Sequence, residues 1–157
     1  MSEPLLLTDG DPTREVTFFV PGEPLPESKR TAPARLGKEG QVIQGRRYET
    51  PNRRDWKAIV HYAAYAAFAE GPWQGPLELT LTFQLVRPPS WSKKPTKNYP
   101  WPDFPYKQPD WDNCVKPVQD AMKGVAWLDD GQIVRAIVEK TWADKPGVLV
   151  TVRRLAE

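Results

Sequence analysis

Residues 109–140 read PDWDNCVKPVQDAMKGVAWLDDGQIVRAIVEK, and the order of a helix, a turn and a strand within this stretch decides the fold. The stretch contains five aspartates, which are Asp110, Asp112, Asp120, Asp129 and Asp130. Two acidic pairs flank the segment predicted as a short helix, and carboxylates gathered in this way repel one another unless a cation lies among them. Mg²⁺ prefers oxygen ligands and accepts substrate phosphates. The stretch therefore predicts a metal site that handles phosphate.

The helix of this stretch is predicted to run from Trp111 to Met122. Pro117 leaves two possibilities, because it either kinks the helix or stands at the first position of its regular part. In a continuous helix Asp112 and Lys116 are four residues apart and share one face. After the Asp-Asp-Gly turn, residues 132–141 alternate as a strand and Val148 to Arg153 form another, and we expect these two strands to pair as a hairpin.

Upstream of this stretch, the pattern predicts two strands and one long helix. Val16 to Val20 is a β-rich run, and Leu77 to Val86 alternates apolar and polar residues, so that one face should pack on a helix and the other should face solvent or a partner. Thr50-Pro51 is a good helix start, and the helix is expected to end near Ala69. Its predicted core stripe comprises Trp56, Ile59, Val60, Ala63, Ala67 and Phe68.

These elements predict an α+β fold in which a mostly antiparallel sheet packs against two helices. With 157 residues the chain has the length of one domain. We assign residues 15–157 to that domain. Residues 1–14 show no periodicity and are predicted to be a flexible N-terminal arm.

Basic residues are concentrated in the segment from the end of strand one into the beginning of the first helix. The nine bases of residues 29–57 are Lys29, Arg30, Arg35, Lys38, Arg46, Arg47, Arg53, Arg54 and Lys57, against three acids, although the whole chain has a net charge of only +2. The segment begins as a proline- and glycine-rich loop, in which residues 41–48 could form a short strand or hairpin. Such a basic block suits a phosphate backbone, and the alternative is a solvated basic face.

A second long loop, residues 88–109, combines prolines with lysines and aromatic residues. Lysines beside exposed rings could grip a nucleic-acid backbone and stack on unpaired bases. The alternative is a proline-rich flap whose aromatic side chains pack on the domain itself.

Several classes of protein are excluded by the composition. A single cysteine, Cys114, excludes an intrachain disulfide and a multi-cysteine zinc site. The single histidine, His61, lies in an alanine-rich helical segment, which favours a helix-surface or packing role over a catalytic one. No apolar stretch reaches the roughly 20 residues of a membrane span, and the N-terminus has no signal-peptide pattern. We therefore expect a cytoplasmic protein, in a bacterial or phage-infected cell, whose catalysis rests on carboxylates, lysine and metal-bound water.

Taken singly, the acids are weak evidence, because an Asp-Asp-Gly is a common turn. Together they form Asp-x-Asp-Asn-x-x-Lys followed by Asp-Asp-x-Gln and a strand ending in lysine, a much more specific pattern. Its members are Asp110, Asp112, Asn113, Lys116, Asp129, Asp130, Gln132 and Lys140. This pattern resembles the RusA family of Holliday-junction resolvases, which has many phage and prophage members.

The resemblance implies a small mixed α/β domain that forms a homodimer and cuts branched DNA in recombination and repair. It implies that activity requires Mg²⁺, for which Mn²⁺ is an expected substitute. No small-molecule cofactor and no membrane association are expected. It implies that Asp110, Asp112 and Asp130 are the catalytic, metal-binding carboxylates and that Lys116 is an essential basic partner. Supporting roles are assigned to Asn113, Asp129, Gln132 and Lys140. The predicted DNA-binding residues are Lys29, Arg30, Arg35, Arg46, Arg47, Arg53, Arg54 and Lys107. Some family members carry an arginine run before the first aspartate, where this chain has only Lys107.

Two alternatives to a junction resolvase remain at this point. A nuclease with the same chemistry could act on other branched or fork DNA. A non-catalytic junction-binding protein could use the acids as structural caps, although a binder would gain phosphate affinity by losing those negative charges.

Overall fold

The computed structural model describes residues 14–27, 34–45, 51–89, 97 and 101–156, together with the backbone of residues 30–31 and 47–48. In chain order the elements are β1 (Glu15–Pro21), β2 (Arg30–Thr31), β3 (Arg35–Leu36), β4 (Val42–Ile43), β5 (Arg47–Tyr48), α1 (Pro51–Ala67), β6 (Leu77–Leu85), α2 (Trp111–Met122), β7 (Ile133–Trp142) and β8 (Gly147–Arg154). A 3₁₀ turn, Asp130–Gln132, leads into β7.

The main sheet has four strands in the order β1-β8-β6-β7. Strand β8 runs antiparallel to both β1 and β6, and β7 runs parallel to β6. A mixed sheet with two helices is an α+β fold, which confirms the predicted fold class. Because β1 and β7 are the edges, β6 and β8 form the centre of the sheet.

The predicted hairpin between the last two strands is wrong, because β6 lies between β7 and β8. One side chain of β6 bonds to both neighbouring strands. The carboxylate of Glu78 accepts hydrogen bonds at 2.7 Å from Arg135 of β7 and at 2.7 Å from Arg153 of β8. The four-residue connection 143–146 therefore crosses the end of β6 rather than making a tight turn.

The core lies between the apolar face of this sheet and the two helices. Strand β6 contributes the buried side chains of Leu79, Leu81 and Phe83, whereas its alternate residues Thr80 and Thr82 are half-buried on the other face. One face of β6 packs on the core, as the alternation predicted. On the other face, the hydroxyls of Thr17 and Thr151 lie 2.9 Å apart.

Helix α1 places Trp56, Val60 and Ala64 in the core at four-residue spacing. Phe68, just past its end, is also buried, and Ala63 and Ala67 pack at the margin of the core. The prediction that Ile59 belongs to this stripe is wrong, since its side chain is 43% exposed. Successive residues of a helix are rotated by about 100°, so Ile59, directly before Val60, lies outside the face centred on Val60.

Helix α2 has the predicted limits and continues through Pro117 from Trp111 onward. It buries Cys114, Pro117 and Val118 against the core. The regular helix therefore starts before the proline, which decides between the two possibilities for this segment. Next to the helix, Trp127 is fully buried.

The basic segment between β1 and α1 contains two small ribbons, β2 with β5 and β3 with β4, both antiparallel. The short strands predicted in residues 41–48 are thus present, but they pair backwards onto residues that were predicted as loop. Of the predicted N-terminal arm, only Arg14 lies within the described residues, and it forms a 2.7 Å ion pair with Glu70. Among the described helices, none is long and apolar enough to cross a membrane.

Candidate active site

Asp110 and Asp112 lie at the beginning of α2. Asp110 is the N-cap residue, with extended backbone, and its carbonyl oxygen accepts a hydrogen bond from the Cys114 amide at 3.1 Å. Its side chain makes no capping hydrogen bond. Asp112 is exposed in the first turn. The positive end of the helix dipole stabilises both charges, so two carboxylates are presented at one helix end without a capping task.

Lys140 holds the segment that leads into this helix end. From β7, its ammonium donates to the carbonyl oxygens of Lys107 at 2.9 Å and Pro109 at 2.8 Å. The second of these carbonyls belongs to the residue directly before Asp110. Lys140 therefore links the strand that follows the acidic turn to the start of α2, which is a positioning role.

Asp130 is oriented by a buried tryptophan. The indole Nε1 of Trp127 donates to Asp130 Oδ1 at 2.9 Å. The Trp127 side chain is fully buried in the core. This hydrogen bond engages one carboxylate oxygen of Asp130 and fixes the side chain relative to a rigid part of the fold.

Asp129 and Gln132 build the turn around Asp130. The side chain of Asp129 accepts from the Gly131 amide at 2.8 Å, and Gln132 Oε1 accepts from the Asp129 amide at 3.0 Å, forming a capping box. Gln132 Nε2 also donates to the carbonyl of Trp73 at 2.8 Å. Both side chains are thus used in structural hydrogen bonds, which suits the supporting roles predicted for them.

Lys116 bonds to a carboxylate that the sequence analysis assigned no role. Its Nζ donates to Asp120 Oδ1 at 2.7 Å, one turn further along α2. The other oxygen of Asp120 lies 3.8 Å from Lys57 Nζ on α1. The i,i+4 spacing of Lys116 and Asp120 is visible in the sequence, but the spacing of Asp112 and Lys116 is the same, so only the structure distinguishes the two partners.

The charge of Lys116 is stabilised by its surroundings. The hydrogen bond to Asp120 raises the pKa of the Lys116 ammonium, and burial opposes this effect. The charges of Asp130 and Glu27 raise the pKa further. Lys116 thus stays protonated at neutral pH and senses the carboxylate of the acidic turn. Glu27 was not predicted as a site residue; its amide donates to the Asn113 carbonyl at 2.7 Å.

Cys114 lies beneath this helix end but is not a nucleophile. The thiol is 1% exposed. Burial raises its pKa to about 11, an effect that the charge of Lys140 opposes and the charges of Asp110 and Asp112 increase. A thiol that stays protonated at neutral pH does not attack phosphorus.

Among the described residues, no three His, Cys, Asp or Glu side chains are grouped so that they could hold a metal ion together. The donor chemistry of the site nevertheless fits Mg²⁺, which commonly binds proteins through one or two carboxylates and completes its shell with water and substrate phosphate. The carboxylates of Asp110 and Asp112 at the helix end, and that of Asp130 in the turn, are the oxygen donors that such an ion would use.

The predicted DNA-binding residues fall into four groups. Arg35 and Arg54 are exposed on β3 and α1, and Lys107 is exposed beside Lys140. Arg53 donates to the carbonyl of Pro26 at 2.7 Å. The backbones of Arg30 and Arg47 lie in the ribbon of β2 and β5, whereas Lys29 and Arg46 lie outside the described residues. DNA binding by this set remains a prediction.

Two further features are a groove and a contact between the helices. A groove of about 640 Å³ is lined largely by prolines and includes Pro109 and Trp142 in its wall. His61 Nδ1 lies 3.3 Å from the carbonyl oxygen of Ala121, a contact between α1 and α2. Part of the 88–109 loop, residues 90–96 and 98–100, lies outside the described residues. The two alternatives for that loop therefore stay open.

Two comparisons with known proteins bear on this site. The family model of endodeoxyribonuclease RusA matches residues 21–153, a range that contains both helices and all of the proposed site residues. An uncharacterized protein of Bacillus subtilis (strain 168), YqaN, is 28% identical over 144 residues, which cover 90% of this chain and 97% of YqaN.

Proposed function

The chain belongs to the RusA family of endodeoxyribonucleases, and from this we propose that it is a Mg²⁺-dependent, structure-selective endonuclease that resolves four-way DNA junctions by paired symmetric nicks. Mn²⁺ is expected to substitute for Mg²⁺. The proposed metal-binding carboxylates are Asp110, Asp112 and Asp130, with Lys116 as the basic catalytic residue. Such an enzyme would serve DNA recombination and repair.

One observation carries the proposal. The two acidic ends of the motif are held by dedicated contacts, Lys140 to the carbonyl of Pro109 and Trp127 to the carboxylate of Asp130. Lys116, between them in sequence, is held by a 2.7 Å hydrogen bond to Asp120. Side chains that served only as caps would not need a buried indole and a lysine to position them.

The residues of the site divide the work of phosphodiester hydrolysis. When bound, Mg²⁺ supplies water activation and charge neutralisation at the scissile phosphate. Lys116 donates hydrogen bonds to a phosphate oxygen as negative charge develops on it. Asp120 keeps the ammonium of Lys116 protonated and directed until the phosphate arrives.

A four-way junction contains two symmetric strands to be cut. A homodimer with twofold symmetry presents two equivalent sites to such a substrate. We therefore include a homodimer in the proposed function.

The proposal is tested by incubating a labelled four-way junction, and linear duplex of the same arms, with and without Mg²⁺. Asp112→Asn is the matched variant, since it removes one charge from an exposed position. We expect paired symmetric nicks in the junction only, which require Mg²⁺ and are lost in D112N while junction binding is kept or strengthened.

Three other results would contradict the proposal in different ways. Equal cutting of duplex and junction would keep the metal chemistry and reject junction selectivity. Preferential cutting of fork DNA would indicate that other branched DNA, rather than the four-way junction, is the substrate. Binding of the junction without cleavage at any metal concentration would favour a junction-binding protein.

A further inference from the structure

Strand β7 is an edge of the sheet with unusual exposure. It is ten residues long, contains neither proline nor glycine, and in the described part of the chain pairs only with β6. The other edge strand, β1, ends in Pro21, a residue that blunts an edge. The register with β6 shifts between Leu77 and Glu78, so that Val134 stands in a bulge near the start of β7. From Arg135 onward the strand is regular, and there it offers its free backbone N–H and C=O groups to another chain.

Exposed apolar side chains accompany this free backbone. Val134, in the bulge, is 63% exposed, and Ile137, which pairs with Thr80 on the face away from the helices, is 46% exposed. Residues 134–137 are all exposed. Within the described residues, the middle of β7 is therefore exposed.

We propose that β7 pairs antiparallel with β7 of a second copy of this chain, with Ile137 facing Ile137 of the second copy across the twofold axis. The inference rests on the proposed function, because it names the surface that would form the proposed homodimer. The charge pattern of the strand favours a second copy of this chain as the partner.

The sequence of β7 is complementary to itself in this register. In an antiparallel pair with a twofold axis, the residue numbers of every two facing residues add up to the same sum. When Ile137 lies on the axis, Arg135 of each copy therefore faces Glu139 of the other copy. Centring on Arg135 or on Glu139 would place like charges opposite each other. Centring on Ala136 or Val138 would place a charge opposite Ile137. Opposite charges facing each other across strands stabilise pairing, and like charges oppose it.

The side chains of this register are available for the contact. Arg135 is 58% exposed and donates one hydrogen bond, from Nη1, to Glu78. A guanidinium has five N–H donors, so others remain for a carboxylate of the second copy. Glu139 is exposed.

The pairing would place the two proposed active sites on one side of the dimer. The turn with Asp130 directly precedes β7, and a twofold axis perpendicular to the sheet keeps both turns on the helix side. Ile133, the first residue of β7, lies four positions from the axis, which separates the two copies of Ile133 by about 26 Å along the strands. The joined strands would thus set the spacing of two nicks.

Disulfide trapping of the full chain tests the register. Ile137→Cys places two thiols opposite each other, within the short Cβ separation that a disulfide requires. Val134→Cys lies in the bulge, away from the twofold axis, and serves as the matched control. Val134 is the more exposed of the two, so random collisions would favour the control. The native Cys114 is buried. We expect mild oxidation to give roughly tenfold more cross-linked dimer for I137C than for V134C, and none for the wild type.

Charge reversal tests the pairing in solution. Glu139→Arg places two arginines opposite each other and is expected to raise the dissociation constant of the dimer, measured by light scattering over a dilution series, about tenfold. Glu15→Arg, the same change on the edge strand β1, should leave the dimer unchanged. A monomeric wild type, equal effects of both variants, or preferential cross-linking at position 134 would overturn the interface.

The junction-cleavage assay keeps this inference separate from the proposed function. A monomer that nicks junctions in a Mg²⁺-dependent way would reject the interface and retain the nuclease. A dimer trapped through I137C that never cuts DNA would retain the interface and reject the nuclease.

Discussion

At the scale of single residues, two contacts decide how the proposed catalytic carboxylates are presented. The ammonium of Lys140 bonds to the backbone next to Asp110, and the indole of Trp127 bonds directly to Asp130. Both donors stand outside the set of ligands, so they act by positioning. A displacement of about 1 Å in such a site can cost around a hundredfold in rate.

Replacing Trp127 with phenylalanine removes the hydrogen bond to Asp130 and keeps an aromatic ring in the core. We expect the Mg²⁺ concentration that gives half-maximal junction cleavage to rise about tenfold, because a freely rotating carboxylate pays more ordering entropy when it binds an ion. The measurement is a Mg²⁺ titration of the initial cleavage rate.

The matched control for this variant is Trp56→Phe. Trp56 is 3% exposed, and within the described residues its indole nitrogen has no hydrogen-bond partner. The W56F change thus makes a similar cavity without touching the site. An equal shift of the Mg²⁺ titration in both variants would show that loss of packing, and not the bond to Asp130, is responsible.

At the scale of secondary-structure elements, Glu78 links strand β6 to its two neighbours, β7 and β8. Its carboxylate bonds to Arg135 of β7 and to Arg153 of β8, both at 2.7 Å. The hydrogen bond from Arg135 holds the pKa of the Glu78 carboxyl below its ordinary range, burial opposes this effect, and Arg153 adds to it. Strand β7, which carries Lys140, is therefore anchored to β6 by charge as well as by backbone pairing.

This lowered pKa has a consequence for stability at acid pH. A carboxyl group whose pKa is lower in the folded state contributes stability above its unfolded pKa and loses that contribution as the pH falls through the folded pKa. We expect the thermal midpoint of Glu78→Gln to fall less than that of the wild type between about pH 6 and about pH 3. Calorimetry at several pH values measures the difference. Glu15→Gln, which changes an exposed glutamate of β1, should follow the wild type; if E78Q does as well, the Glu78 ion pairs do not contribute.

At the scale of the whole molecule, charge is distributed unevenly although the net charge is only +2. Residues 29–57 carry nine bases and three acids. The start of α1, with the exposed Arg54, belongs to this segment, and α1 packs against α2, whose beginning carries Asp110 and Asp112. Positive potential beside a carboxylate site would bring a DNA backbone to it.

Removing one charge of this segment tests its part in DNA binding. We expect Arg54→Ala to weaken junction binding severalfold and to reduce the slope of log affinity against log salt by about 0.9, the effect of one lost phosphate contact. Binding isotherms at four salt concentrations measure it. Lys145→Ala, in the exposed turn between β7 and β8, is the matched control, and an equal effect there would show that only total charge matters.

Much of the fold follows from local patterns in the sequence. The limits of α2 were predicted correctly, because Gly124 and the flanking aspartates mark its ends and an apolar face repeats within it. Strands β6, β7 and β8 were located from alternation, and β1 from a β-rich run. The α+β class followed from the order of these elements, and the family followed from the spacing of the acids with Lys116.

Other features were decided by tertiary structure alone. The short connection between β7 and β8 favoured a hairpin, but β6 lies between them, and its buried Glu78 carboxylate bonds to an arginine of each neighbouring strand. The bond from Lys140 to Pro109 and the choice of Asp120 by Lys116 depend on how strands and helices pack. Local spacing in the sequence determines which residues can share a face, whereas contacts between distant residues depend on which arrangement leaves the fewest buried polar groups unpaired.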